Sequence, residues 1–259
     1  MNQQQIVWNG QGPIYQGVYD PTNGTADEGF LTNIVPLPCA VKTFTTSLKV
    51  DTKAIKESCS GQRLDFSEIE TGKSMSVKLE LVSFSRRELA QALYGIDLLK
   101  PAGTVTSELI RPNIAAGEFV FTKHAKTSTI VITDSNATPA TLVAGTDYAV
   151  IDADQGVIQI KNITGFTLPL KLAYEYAEYG NIAAFSQTAL RTGLIFTGIN
   201  SDGIKQRMAI PQMRLTPSGD FSWLSDDAAV LSFGGSVYYT PGLDSELFGD
   251  FMRVITLAA

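Results

Sequence analysis

The segment Thr71-Gly72-Lys73-Ser74 has the residues that close a phosphate-binding loop, in which backbone amides and a lysine hold the phosphates of a nucleotide. Such a loop needs another glycine five residues before Gly72, and it must open a helix so that helix amides also face the phosphates. Position 67 is Ser67, and the residues after the segment alternate apolar and polar side chains as a half-buried strand does. We therefore interpret the segment as a hairpin turn with Gly72 at its tip, between strands at residues 64–69 and 75–82.

The histidine and cysteine content argues against catalysis and against zinc binding. His124, the only histidine, lies between Lys123 and Lys126, which predicts an exposed loop or strand end. Cys39 and Cys59 would need distant carboxylates to complete a zinc site, and two isolated thiols are typical of a protein made in a reducing cytoplasm. We expect no metal and no cofactor.

Two acidic pairs could suggest other chemistry. Asp152 and Asp154 have the spacing that opens a calcium loop, but Gly156 stands where the third oxygen ligand belongs, which indicates a turn. Asp226 and Asp227 are neighbours, so on a strand they would point to opposite faces and could not act as a glycosidase pair. The chain is therefore predicted to have no catalytic residues and not to be an enzyme.

Charge and length restrict the remaining classes. The 259 residues include 26 acidic and 20 basic ones, and the net charge of −6 disfavours a protein that grips nucleic acid by its phosphates. The first residues lack the pattern of a signal peptide, and no later run approaches the roughly 18 apolar residues of a membrane-spanning helix. We expect a cytoplasmically made chain that does not insert into membranes.

One helix is indicated at residues 86–94. Ser85 and Glu88 have the spacing of a capping box, with Phe84 and Leu89 placed as the accompanying hydrophobic staple. Gly95 is predicted to end the helix in the left-handed conformation.

Most other segments are predicted to be strands joined by tight turns. Residues 147–151 and 157–160 flank one hairpin loop, and residues 195–199 and 204–215 flank another. A turn at 216–219 leads to a short strand at 220–223, and Gly234 and Gly235 suggest a bulge within the last strand. The fold class is therefore mainly β, an antiparallel sandwich or barrel with one short flanking helix.

The domain organisation is predicted to be a single domain over residues 1–259 with three irregular parts. The N-terminal arm at about 1–13 and the extended loops at about 21–62, including 21–29 and 35–59, are long for a compact domain and indicate contact with a partner. Residues 113–180 are a possible β-rich insertion.

Three segments together resemble the tail tube protein, or major tail protein, of long-tailed, non-contractile bacteriophages. The first, 59–95, is a hairpin with a TGKS-type turn that runs into a short helix. The second, 193–239, has an Asn-x-Asp-Gly turn, a long strand, a Pro-x-Gly-Asp turn and a final strand after an acidic pair. The third, 145–176, is similar to the middle of such proteins, and all three occur in the expected order.

This resemblance implies a self-assembling structural protein of the virion. In that family a β-sandwich contributes hairpins to a barrel shared by six subunits, and the rings stack into a tube through which DNA is ejected. The implied partners are other copies of the chain and the tape-measure, terminator and initiator tail proteins, while DNA passes without specific binding. The acidic balance would keep the bore negative.

On this hypothesis the polar face of the hairpin at 64–82 lines the channel. Lys78 is the exception in charge, and it either pairs with Glu80 or lies toward a neighbouring subunit. The channel-lining candidates are Glu68, Glu70, Ser74, Ser76, Lys78 and Glu80.

Two alternatives stay open. One is the tube of a contractile tail or a secretion system. The other is a β-sandwich adhesion or carbohydrate-binding module, for which Tyr174, Tyr176 and Tyr179 could provide an aromatic surface, although packing on one face of a strand explains them equally well.

Overall fold

The computed structural model describes residues 7–188 and 190–257, which form two compact units. Unit 1 holds the described residues up to Ile96 and from Ala183 onward, and unit 2 is Asp97–Ile182. Half of the chain is strand, the sheets are antiparallel, and helix is scarce, so the predicted mainly β fold is confirmed. No helix among the described residues has the length and apolar character needed to cross a membrane.

Unit 1 is built on one eight-stranded sheet with the order β2-β1-β13-β14-β15-β4-β3, in which β16 pairs with the first half of β14. Its strands are β1 Ile14–Tyr19, β2 Leu31–Pro36, β3 Val41–Lys56, β4 Asp65–Leu81, β13 Arg191–Ile199, β14 Lys205–Pro217, β15 Leu231–Val237 and β16 Arg253–Leu257.

The core of unit 1 follows from the alternating pattern of β4. Met75, Val77, Leu79 and Leu81 are buried, whereas the residues between them face outward. They pack with apolar side chains of β14 and β15, such as Phe233, in one cluster. Complete burial of a side chain like Leu79 contributes roughly 1.5–3 kcal/mol, so this half of β4 is firmly held.

The sheet curls until its distant strands meet. Phe44 of β3 and Phe196 of β13 lie edge to face with ring centroids 6.0 Å apart, although three strands separate β3 from β13 in the sheet order. The described strands do not close into a barrel, which leaves β2 and β3 as the two ends of the sheet.

Helix α1, Arg86–Ala92, has the predicted capping box. The Glu88 carboxylate accepts a hydrogen bond from the Ser85 amide at 2.8 Å, and the Ser85 hydroxyl accepts from the Arg87 amide. The prediction for Gly95 is wrong, because Tyr94 takes the left-handed conformation with φ of 48°. Gly95 instead donates its amide to the Ala90 carbonyl, which completes a Schellman motif.

The predicted turn at Gly72 is wrong. β4 runs without interruption from Asp65 to Leu81, and Gly72 pairs with Asp51 in the middle of the β3–β4 ladder. The actual hairpin turn lies at residues 57–64. The extended loops predicted at 21–62 are correct for 21–29, which contains a short 3₁₀ turn at Ala26–Glu28, and wrong for 35–59, where most residues form β3.

Two smaller predictions in unit 1 are also wrong. Residues 220–223 form no strand, and Gly234 and Gly235 form no bulge, because β15 keeps regular register with both β14 and β4. A β-carbon at position 235 would lie 2.6 Å from the Met213 methyl group, the flexible end of that side chain, which would have to shift. A one-turn helix, α2 Ser245–Phe248, was not predicted.

Unit 2 contains two three-stranded sheets, β7-β10-β9 and β6-β11-β8, and the pair β5–β12. Its elements are β5 Ile96–Lys100, β6 Gly103–Leu109, β7 Phe119–Phe121, β8 Thr127–Thr133, β9 Tyr148–Asp152, β10 Val157–Ile160, β11 Lys171–Tyr176 and β12 Tyr179–Ala183. Its own apolar core includes Ile132, Ile158 and Leu172. The insertion predicted at 113–180 lies inside this unit. The hairpin β9–β10 here and the hairpin β13–β14 in unit 1 are confirmed.

Two glycine substitutions distinguish this fold from a turn at Gly72. In Gly72→Ala the new β-carbon meets no atom closer than 4.0 Å, so we expect a change in unfolding free energy within about 0.5 kcal/mol. In Gly193→Ala it would lie 2.6 Å from two backbone oxygens, so we expect a loss of about 1–3 kcal/mol. Urea unfolding measures both. A loss in Gly72→Ala as large as that in Gly193→Ala would contradict the continuous β4 strand.

Candidate functional site

The most unusual feature of unit 1 is the outer part of the β3–β4 hairpin, residues 48–56 and 65–74, which we call the arm. Every residue of these two segments is exposed, whereas the inner part of the same hairpin contributes to the core. The arm is therefore a two-stranded ribbon with no layer packed on either face.

The arm is held mainly by interactions within the hairpin, apart from a 3.9 Å ion pair between Lys73 and Asp250. Its two strands are paired as far as Lys56 and Asp65. The Thr71 hydroxyl donates a hydrogen bond to the Asp51 carbonyl at 3.0 Å. Lys56 and Asp65 form an ion pair of 3.2 Å between exposed side chains. Exposed pairs of this kind contribute about 0–1 kcal/mol, and an isolated two-stranded hairpin is marginally stable in water.

The turn at the end of the arm is organised by the Glu57 carboxylate. It accepts hydrogen bonds from the Cys59 and Ser60 amides at 2.8 and 2.9 Å and from the Ser60 hydroxyl. These bonds, the Ser60 hydroxyl first, lower the pKa of Glu57 to about 2. Gly61 and Arg63 adopt positive φ angles of 76° and 51° to complete the turn.

Apolar side chains lie exposed on both faces of the arm. Val50 is 49% exposed and pairs with Lys73, while Ile69 is 52% exposed and pairs with Lys53 on the opposite face. Phe66, near the tip, is 79% exposed. An exposed ribbon with apolar residues on both sides is a surface that another chain can cover.

The structure places four of the six channel-lining candidates on one face. Ser74, Ser76, Lys78 and Glu80 point away from the core on β4. Lys78 forms a 2.8 Å ion pair with Glu80, which is one of the two arrangements expected for it. The hydrogen bond from Lys78, followed by that from Thr43, lowers the pKa of Glu80.

Glu68 and Glu70 do not share this face. The register shifts by one residue at Thr71, because Gly72 pairs with Asp51 while Glu70 pairs with Thr52. Consecutive residues of β3 face opposite sides, so this bulge turns Glu68 and Glu70 to the face opposite Ser74. The prediction of a single polar face along residues 64–82 is therefore wrong for the residues before Thr71, which include Glu68 and Glu70.

The face that carries Ser76 and Lys78 extends across neighbouring strands. Ser76 pairs with Ser236 of β15, which pairs in turn with Arg214 of β14, and a shallow groove of about 500 Å³ lies over these residues. Lys78 and Arg214 bring two cations to a face that also contains Glu80. The face is thus polar with charges of both signs.

In unit 2 the structure brings His124 together with the three tyrosines that the sequence suggested as an aromatic surface. The His124 ring stacks on Tyr176 with centroids 4.0 Å apart, and His124 Nδ1 lies 2.9 Å from the Tyr179 hydroxyl. Tyr174 is buried and donates its hydroxyl to Glu108 at 2.6 Å; burial and then this bond raise its pKa. His124 lies in the loop between β7 and β8, as predicted, but it is partly buried rather than exposed.

The remaining candidates have ordinary structural positions, and Cys59 lies in the turn of the arm. Cys39 and Cys59 are exposed free thiols, Asp152 caps the β9–β10 turn through the Gln155 amide, and Asp226 and Asp227 lie in an exposed loop. Among residues 7–188 and 190–257, no three His, Cys, Asp or Glu side chains are grouped as metal ligands would be. Of the N-terminal segment predicted at about 1–13, which is separate from the arm defined above, residues 1–6 lie outside the described chain. Gln11 forms an isolated bridge with Ile199.

The arm was not predicted, although the sequence contains signals for it. Residues 41–56 are rich in Val, Thr and Ile and contain neither Gly nor Pro, while Gly61 stands at the actual turn. These signals were outweighed by the glycine at 72, which pointed to a turn at the wrong place.

Residues 7–255 match one family model, described as protein of unknown function UCP028589. The chain belongs to this family. The chain has no match among the curated proteins with which it was compared. The match spans both units, so the arm and unit 2 are both part of the region that the family model covers.

The Glu57 turn predicts a pH dependence for the arm. The folded pKa of Glu57, about 2, lies below its ordinary value of 4.5. The ionised carboxylate therefore stabilises the turn fully above about pH 4.5, and this stabilisation is lost as the pH falls toward 2. We expect the amide NMR signals of Cys59 and Ser60 to shift over this range, and Glu57→Gln to remove most of that shift. Signals that titrate with a midpoint near 4.5 in the unmodified protein would contradict the capped turn.

Proposed function

We propose that this protein is a structural subunit that assembles with copies of itself into stacked six-membered rings, forming the tail tube of a long-tailed bacteriophage. It would be made in the host cytoplasm and become part of the virion, where the tube conducts DNA during ejection. The single observation that carries the proposal is the arm, a ribbon that is exposed on both faces and has apolar side chains on each.

The arm supports assembly because a monomer leaves it without packing. Val50, Phe66 and Ile69 would lose contact with water if another copy covered them, and each fully buried side chain of this type contributes about 1.5–3 kcal/mol. Such a ribbon gives no advantage to a protein that works as a monomer, but it lets a subunit contact a neighbouring copy.

The open edge of β3 supports the same proposal. β3 is 16 residues long and, among the described strands, pairs only with β4, so its other edge presents backbone groups that no described strand pairs along the end of the sheet. Such an edge is a template for a strand of another chain, and closure of strands from several copies into a barrel removes it. The curled, unclosed sheet of unit 1 is suited to that sharing.

The polar face of β4 is our candidate for the bore. Ser74, Ser76 and the Lys78–Glu80 pair would face the channel, with the cation neutralised by its partner. Glu68 and Glu70, on the opposite face, would instead meet a neighbouring subunit. The net charge of −6 disfavours adhesion of DNA to the tube. Tape-measure, terminator and initiator tail proteins are the further partners that this role implies.

The aromatic cluster gives less support to a carbohydrate-binding module. One face of Tyr176 is covered by His124, and Tyr174 is buried with its hydroxyl bound to Glu108. A sugar platform needs a free aromatic face. The tube of a contractile tail or secretion system would use the same arm and edge, and it is distinguished by a sheath in the assembled particle.

Removing apolar side chains from the arm is expected to prevent assembly without unfolding the subunit. In Val50→Ser with Phe66→Ser, both changed residues are exposed, so the circular dichroism spectrum and melting temperature of the monomer should stay the same. Rings or tubes seen by electron microscopy, and the large species in light scattering, should disappear or need at least about tenfold more protein.

The matched control is Leu109→Ser, which removes a side chain that is 65% exposed on β6 in unit 2. It should assemble as the unmodified protein does. An unmodified protein that stays monomeric at high concentration, or arm variants that assemble normally, would overturn the proposal.

A further inference from the structure

An exposed apolar tip lies in the loop between β14 and β15. Trp223 is 74% exposed and Leu224 is 97% exposed, the largest exposed fraction among the apolar residues described. The Trp223 ring contacts Phe221 edge to face at 4.9 Å, and Phe221 contacts Phe84 at 5.6 Å. Phe221 in turn packs against the core of unit 1, so the tip is held in place by its base.

Acidic residues surround this tip. Asp220, Asp226 and Asp227 are exposed, and none of them forms an ion pair with another described residue. We call residues 220–227 the tip loop. It combines two apolar side chains with three unneutralised carboxylates, which is the composition of a segment that binds an apolar site with a basic rim.

Unit 1 also contains a groove with the complementary character. It has a volume of about 480 Å³, within the roughly 300–1,000 Å³ of clefts that take ligands. Register places Ile199, Lys205 and Leu257 in one row across β13, β14 and β16, and Thr197, Arg207 and Ile255 in the next. Residues paired across antiparallel strands share a face, so each row places one cation beside apolar side chains.

The apolar and cationic side chains of the groove are open to a partner. Ile199 and Leu257 are 43% and 55% exposed. Lys205 and Arg207 form no ion pair within the part of the chain that the structure describes. The groove therefore offers apolar surface and two free cations to a partner.

The tip loop and the groove lie at opposite ends of the same strand. The groove includes Lys205, the first residue of β14, and the tip loop follows Pro217, its last residue. Thirteen residues of strand at about 3.3 Å each separate the ends by roughly 40 Å. The tip loop therefore cannot fill the groove of its own molecule, and a second copy translated along β14 brings the two together.

We propose that the tip loop of one copy docks in the groove of the next. Trp223 and Leu224 contact Ile199, Ile255 and Leu257, and Asp226 and Asp227 face Lys205 and Arg207. A contact between two different surfaces of the same chain is heterologous, and because the two copies are related by translation along β14, it repeats without closing and builds a stack. This inference rests on the proposed self-assembly and assigns a particular contact to it.

A disulfide between two variants tests the contact directly. In a background with Cys39→Ser and Cys59→Ser, one preparation carries Leu224→Cys and the other Ile255→Cys. We expect mild oxidation of the mixture to give a mixed dimer at least about tenfold faster than either preparation alone. Leu109→Cys, at a position of unit 2 where the leucine is 65% exposed, replaces Leu224→Cys in the control mixture and should react at the background rate. Equal rates in both mixtures would overturn the proposal.

Charge reversal provides a second test that does not depend on cysteine chemistry. Lys205→Glu with Arg207→Glu should weaken association several-fold, measured by light scattering. Mixing that variant with Asp226→Lys and Asp227→Lys should restore association with the same partner. Leu224→Ser, whose side chain is almost fully exposed and so does not affect folding, should weaken it by at least about tenfold. Groove variants that weaken association while Leu224→Ser does not would show that the groove takes another occupant.

The arm variants separate this proposal from the proposed function. If Val50→Ser with Phe66→Ser abolishes assembly but the tip-loop variants leave it unchanged, the tube subunit stands and the stacking contact is wrong. If the cross-link forms in the mixture but no ring or tube is seen at any concentration, the contact stands and the tube function is wrong.

Discussion

The structure of unit 1 depends on the burial of one half of β4. Met75, Val77, Leu79 and Leu81 are packed between neighbouring strands, and this anchors the inner part of the β3–β4 hairpin. From Ser74 back to Asp65 the same strand has no core beneath it and is held mainly by its pairing with β3, with the Glu57 turn at the end of the hairpin. The arm exists because a well-packed base supports a ribbon that could not fold alone.

The exposed features of unit 1 share one physical property, which is that each presents apolar surface, backbone groups or charges that the described residues do not cover. The arm exposes apolar residues on two faces, β3 leaves a backbone edge open, and the tip loop and groove carry opposite unneutralised charges. A single such feature is common on protein surfaces, but four on one unit favour a subunit designed for repeated contact with its own copies. In unit 2, in contrast, the cluster of His124, Tyr174 and Tyr176 is held by its own hydrogen bonds and stacking contacts.

Local signals predicted local structure well. The capping box at Ser85 and Glu88 is present because its two hydrogen bonds depend only on residues three apart. The hairpins β9–β10 and β13–β14 form where short polar loops separate β-rich segments. The predictions failed where a glycine was assumed to require a turn. Gly72 and the pair at 234 and 235 lie inside continuous strands, and Gly72 is next to the bulge at Thr71.

By itself the sequence determined the fold class, the helix and the alternating inner half of β4, because these follow from propensity, spacing and burial on one face. Only the tertiary structure decided that residues 41–56 pair along the whole of β4, that a bulge at Thr71 moves Glu68 and Glu70 to the other face, and that the tip loop and groove lie at opposite ends of β14. These facts depend on strand register and on pairing between residues distant in the chain. Register is set by which long-range contacts bury the most apolar surface, and no short segment contains that information.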